Sequence, residues 1–218
     1  MASTGGMPGS ANRPNRRNLI IAGILVVIVA AMALDTTVVR IGSSEDVREQ
    51  AFDPDRFGST EFPRIREFVT NRAPDAQTLA AELTSDKAAA VADYGTMAGA
   101  FPVMSVALSG TVGEGSSGVF NVAVDGLPDD VVVRVQTGPA INGTELRDVT
   151  GDIEFNAFTN QIEYQDAGSG INRAMASETL SDLDRDSLTG KTITVTGAFT
   201  LINPKNWLVT PVTLEVGS

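Results

Sequence analysis

Residues 101–113, FPVMSVALSGTVG, decide how this chain folds. Val103, Ser105, Ala107, Ser109 and Thr111 alternate with Met104, Val106, Leu108 and Val112, the period of two that marks a β-strand. Gly110 and Gly113 interrupt the run and predict a strand that bends. Residues 115–118 then read as a turn, 119–124 as a second strand and 127–130 (LPDD) as another turn. A third strand follows at 131–136 (VVVRVQ), apolar enough to be buried on most of its length. Three strands with short connections predict an antiparallel meander.

Two more strands follow towards the C-terminus. TITVTGAFTL at 192–201 alternates and is rich in threonine, and WLVTPVTLEV at 207–216 comes after a turn at 203–206. Residues 166–183 have helical character, weakened at the start by Gly168 and Gly170. This order of elements predicts an α+β fold whose centre is an OB-like five-stranded antiparallel β-barrel over 101–216. A closed barrel is favoured over an open sheet because no strand carries the lysines or bulges that protect an edge.

A helical segment precedes the barrel, over 51–95. Asp53 caps a helix whose first position is Pro54, where a missing N–H costs nothing. Phe57, Phe62, Ile65, Phe68 and Val69 recur at helical spacing, and Pro63 among them predicts a kink or break. Asp75 and Ser85 read as caps of two further helices, the last ending at Gly95 as a C′ glycine.

Residues 1–18 are rich in Gly, Ser, Pro, Asn and Arg and read as a disordered cytoplasmic tail. The run LIIAGILVVIVAAMAL at 19–34 has no charged side chain and, as a helix, spans about 24 Å. Arg13, Arg16 and Arg17 lie before it and no acidic residue precedes Asp35, so the N-terminus is expected in the cytoplasm and the rest outside. Residues 19–38 therefore read as a transmembrane signal anchor. A cleaved signal peptide, suggested by Ala31-Met32-Ala33, and a buried core helix are the alternatives. Under the anchor reading the protein is a single-pass protein of the cell membrane, with 39–218 as its extracytoplasmic domain.

Composition excludes several chemistries. The chain of 218 residues has neither cysteine nor histidine, which removes disulfides, thiolate nucleophiles, histidine-based triads and the usual zinc and iron ligands. Of its 16 basic residues three precede Asp35, whereas all 27 acidic residues lie from Asp35 onward. Such a surface repels phosphate backbones, and no nucleic-acid partner is expected. No cofactor or metal site is expected either. Asp182, Asp184 and Asp186 space like the start of a calcium loop, but Ser187 replaces the glycine and Ile193 the bidentate glutamate, so a turn into a short helix is the better reading.

The stretch least explained by propensity is 136–164, QTGPAINGTELRDVTGDIEFNAFTNQIEY. It interleaves turn residues with Ile141, Leu146, Ile153, Phe155, Phe158 and Ile162, which need burial, and so is expected to fold into the domain. Its candidate ligand-binding or structural residues are Asn142, Thr144, Arg147, Asp148, Asn156, Thr159, Asn160 and Gln161. An arginine flanked by amides can grip a carboxylate or a sugar hydroxyl array; the same groups can equally satisfy the backbone of an irregular buried segment. Glu154 and Glu163 are the carboxylates on this stretch, though nothing in the sequence selects a catalytic pair, and no catalytic residue is assigned.

TGPAINGTELRD at 137–148, FNAFTNQIEY at 155–164 and LTGK at 188–191, with Phe52-Asp53-Pro54 and Asp93-Tyr94-Gly95, resemble the bacterial "predicted periplasmic lipoprotein" family of unknown function, over about 36–216. The resemblance implies an accessory role in carbohydrate uptake, since such proteins are typically encoded beside sugar-type ABC importers, and it carries no catalytic activity over. Many members hold a lipid on a cysteine after the signal sequence. This chain has none, so a protein anchor would replace the lipid. The expected function is a membrane-anchored extracytoplasmic binding or accessory domain, non-catalytic, with a sugar or an importer component as its partner. A carboxylate-dependent saccharide hydrolase and a purely structural envelope protein are the alternatives.

Overall fold

The computed structural model describes residues 16–35 and 51–217. Residues 1–15 of the tail expected over 1–18, the interfacial extension at 36–38 and residues 39–50 of the expected domain lie outside them, and residues 16–18 of that tail are helical. The chain divides into two units, 1–51 and 52–218. In the first, helix α1 runs from Arg16 to Asp35, and the side chains from Leu19 to Ala33 are all exposed. Among the described residues no helix is long and apolar enough to cross a membrane.

The second unit opens with three helices, α2 (Pro54–Arg72), α3 (Ala76–Ser85) and α4 (Lys87–Tyr94). Asp53 caps α2 by accepting from the N–H groups of Asp55 and Arg56. Pro63 lies inside α2 without ending it, because Phe62, Ile65 and Val69 on the same helix are fully buried and their packing outweighs one lost backbone bond. The cap of α4 is Asp86 rather than Ser85, and Gly95 is not a left-handed C′ glycine: its φ is −100° and it begins a strand. A Cβ at Gly95 would lie 2.7 Å from the carbonyl oxygen of Val91, so the glycine permits close approach rather than a turn.

Six strands follow: β1 (Gly95–Ala98), β2 (Phe101–Ser116), β3 (Val119–Ala123), β4 (Val132–Gln136), β5 (Thr192–Thr200) and β6 (Asn206–Val216). Strands β2, β3, β4, β6 and β5 form a closed ring, with β5 pairing back to β2 from Val103↔Thr200 to Thr111↔Thr192. The strand positions match the alternation in the sequence, and β2 shifts register between Val112 and Gly115, where the glycines stand. The ring is not wholly antiparallel: β4 and β6 run parallel, in register Val133↔Trp207. A ring with an odd number of strands cannot alternate direction all the way round, so one like-directed pair is forced. Strand β1 is a sixth strand, an edge on β2, and Arg72 donates to the carbonyl of Gly95 there.

Strand β2 buries both faces. Met104, Val106 and Leu108 point into the ring with Val133, Val135, Val195, Phe199 and Trp207, and the Phe199 and Trp207 rings stack at 5.0 Å. Val103 joins Ala198 and Val212 on the outer face, beneath Phe62, Ile65 and Val69 of α2 and Ile171 and Met175 of α6 (Gln161–Thr179). Helices α2 and α6 meet through glycines: a Cβ on Gly58 would lie 2.2 Å from the backbone of Gly170, and one on Gly170 would lie 1.9 Å from the carbonyl oxygen of Pro54. Helix α6 starts five residues before the sequence expectation, because Asn160 caps it and Gly170 serves this contact rather than weakening the helix start.

Candidate functional site

Strand β4 hands the chain to the 136–164 stretch through Gln136. Its buried amide donates to the Asn142 carbonyl and to the Thr210 hydroxyl, and its oxygen accepts from the Asn142 N–H, folding residues 137–142 back on themselves. One helical turn follows, α5 (Glu145–Asp148), pinned by fully buried Leu146. Gly151, with φ +76°, turns the chain against Thr96 of β1, and a 3-10 turn at Phe155–Ala157 leads to α6.

Three of the expected residues form one network. Arg147, 7% exposed, donates from Nε to Asp148 Oδ1 at 2.7 Å and from Nη1 to the Tyr164 carbonyl at 3.1 Å. Its guanidinium lies 3.7 Å from the centroid of the Tyr164 ring. The Thr144 hydroxyl donates to Asp148 Oδ2 at 2.6 Å. Arg147 thus ties α5 to α6. The remaining candidates lie apart from it: exposed Asn142 meets Gln136 through its backbone, and Asn156 donates to Glu154. The Thr159 N–H donates to Glu163, Asn160 accepts from the N–H groups of Ile162 and Glu163, and exposed Gln161 opens α6.

Arg147 and Asp148 line an open cleft of about 470 Å³ together with Met97, Glu154, Phe155 and Tyr164. The Phe155 and Tyr164 rings meet edge-on at 5.7 Å and form an aromatic wall. Burial of the stretch's apolar residues holds fully for Leu146 but not for Phe155, 49% exposed, or Ile162, 70% exposed. Phe155, expected in the core, instead lines the cleft, and Tyr164 and Met97 join it without being among the expected site residues. The available signal was two aromatics flanking an Asn-rich turn, a pattern that suits an open wall as well as a core.

Burial pushes the Glu145 carboxyl above the usual range; its own backbone N–H and the Thr200 hydroxyl pull the other way, and the nearby charge of Asp148 adds to the rise. Glu145 Oε1 accepts from Thr200, whereas Oε2 is buried without a partner. A raised carboxyl pKa means that folding disfavours the ionised form, so stability is lost as pH rises through the folded value. Glu145→Gln is expected to be more stable than the parent at pH 7.5, with the difference vanishing below about pH 4, near the unfolded value. Melting curves of both proteins across that range test this, and a pH-independent difference would assign Glu145 an ordinary packing role.

The fold has a solved counterpart. A crystal structure of an OB-fold protein from Thermotoga maritima MSB8 superposes with a TM-score of 0.61 at 17% identity, over 77% of this chain and 100% of the other. No curated protein matches. The family described as "Predicted periplasmic lipoprotein (DUF2291)" matches residues 23–215, and the chain belongs to that extracytoplasmic family of unknown function.

Proposed function

We propose that this protein is a membrane-anchored, extracytoplasmic, non-catalytic domain that binds a saccharide at the Arg147 cleft and serves an ABC-type sugar uptake system. The cleft carries the reading: an open volume of about 470 Å³ with the exposed Phe155 ring on one wall and the Asp148 and Glu154 carboxylates beside it. Sugar rings present C–H faces that pack on aromatic rings and hydroxyls that donate to carboxylates. Asp148 is already held by Arg147 and Thr144, which suits a fixed hydrogen-bond acceptor better than an attacking nucleophile. The apolar run at 19–34 is read from its sequence as the anchor in place of a lipidated cysteine. The link to an importer rests on the family resemblance.

A thermal-shift screen of the full chain against pentoses, hexoses, sugar acids and polyols tests this. A sugar at ten times its dissociation constant is expected to stabilise by about 1.4 kcal/mol, or roughly 3–6 °C for a domain of this size. Phe155→Ala and Glu154→Gln alter exposed groups, so each should fold normally and abolish the shift. A shift that survives both, or no shift across the panel, would overturn the reading. Release of product from a glycoside would favour a hydrolase.

A further inference from the structure

A second cleft adjoins the first, with Ile153 lining both. Its volume is about 330 Å³ and it is lined by three phenyl rings, Phe52, Phe57 and Phe158, and by the side chains of Glu61, Arg64, Asp152 and Glu163. The rings contact one another pairwise, with centroids 5.5 Å (Phe52–Phe57), 5.5 Å (Phe52–Phe158) and 5.6 Å (Phe57–Phe158) apart and planes inclined by 55° to 83°. All three are half-buried, so they belong neither to the sealed core nor to a solvated face. None of the residues proposed to hold a saccharide lies here.

The charge of the lining selects the ligand. Among the described residues Arg64 is the one cation on it, and Arg64 is engaged: Nη2 meets Glu61 Oε2 at 2.6 Å and Nη1 meets Asp152 Oδ2 at 2.6 Å. Asp152 also accepts from the Thr150 hydroxyl, which with Arg64 holds its carboxyl below the usual range. Three carboxylates thus face one guanidinium, and the half-buried Glu163 spends only Oε2, on the Thr159 N–H. An anion would be repelled by this lining and by the acidic surface around it. A neutral apolar ligand would leave the carboxylates unused. Phenyl rings set at steep angles beside carboxylates provide what an alkylated ammonium group needs, negative ring faces for its methyl groups and a net negative field for its charge.

We propose that this cleft binds a small organic cation, a quaternary or primary ammonium on a short apolar body. The inference is separate from the saccharide reading, because the two clefts share only Ile153 of their linings and respond to different substitutions. The volume, near the lower end for ligand pockets, fits a molecule the size of choline.

Calorimetric titration of the full chain with choline, and with its uncharged carbon isostere 3,3-dimethylbutan-1-ol, tests the proposal. Choline is expected to bind, with the isostere weaker by roughly tenfold or more and choline affinity falling as salt is added. Phe52→Leu keeps the apolar volume and removes the ring face. Glu163→Gln removes the charge, while the amide oxygen still accepts from Thr159. Each should weaken choline several-fold while leaving the melting temperature near that of the parent. Absence of choline binding, equal binding of the isostere, or affinity unchanged in both variants would overturn the proposal. A saccharide that competes with choline would overturn the independence of the two clefts.

Discussion

Gly170→Ala is expected to lower the melting temperature by roughly 6–12 °C, even though alanine is the better helix former by about 1 kcal/mol. The new Cβ would lie 1.9 Å from the Pro54 carbonyl oxygen and 2.6 Å from its carbon. Both are backbone atoms that no rotamer change can remove, so α2 and α6 must separate. Separation opens the layer in which Phe62, Ile65, Ile171 and Met175 are fully buried. Overpacking alone costs about 1–3 kcal/mol, and a collision this close belongs at or beyond the upper end after the propensity gain is subtracted. Gly58→Ala should behave in the same way, its Cβ falling 2.2 Å from the Gly170 backbone. Thermal melts of the two variants check this; parent-like curves would show that the helices do not cross through these glycines.

Arg147→Ala is expected to cost more, about 3–5 kcal/mol, because it strands the Asp148 carboxylate, whose side chain is only 16% exposed. It also removes the donor to the Tyr164 carbonyl and the stacking on the Tyr164 ring. Arg147→Lys should recover little, since an ammonium cannot serve Asp148 and the carbonyl while lying flat on the ring. Chemical denaturation with a constant slope measures the loss. A loss below about 1 kcal/mol would mean that the pair behaves as an exposed one and contributes little to the fold. Saccharide binding is therefore tested through Phe155 and Glu154, whose changes leave this network in place.

Much of the architecture is legible in the sequence, for identifiable reasons. Alternation places β3, β4, β5 and β6 to within one residue, since each buries at least one face and a slip would expose it, whereas β2 runs three residues further, to Ser116, into the expected turn. The parallel pair β4–β6 is not encoded by any local pattern, yet it follows once five strands are closed into a ring. Gly168 and Gly170 read locally as helix weakeners. The role of Gly170 appears only when α2 lies against it, because its value there is the space it leaves, whereas Gly168 faces Arg147 and Thr144.

The candidate residues divide along the same line. Asn160 carries the signature of a cap, three residues before Glu163, and the structure uses it as one. Thr144, Arg147 and Asp148 are neighbours in sequence and remain so in space. The cleft itself needs Met97 from β1 and Tyr164 from α6, residues brought together by pairings that no short window of sequence contains. The aromatic cage is similarly non-local, joining Phe52 and Phe57 to Phe158.

The closure of the strand ring also governs when the fold can appear. Its two sealing contacts, Val103↔Thr200 and Val133↔Trp207, join the first half of the domain to its last few dozen residues. Topologies dominated by such distant pairings fold in milliseconds to seconds rather than microseconds, because chain entropy is lost before the contacts repay it. A chain delivered N-terminus first has the three strands of the meander, with the inner face of β2 and its edge towards β5, exposed until β5 and β6 arrive. The domain therefore assembles after its chain is essentially complete, and the waiting intermediate, with the unpaired edge of β2 at its centre, is the species most prone to aggregate during production or export.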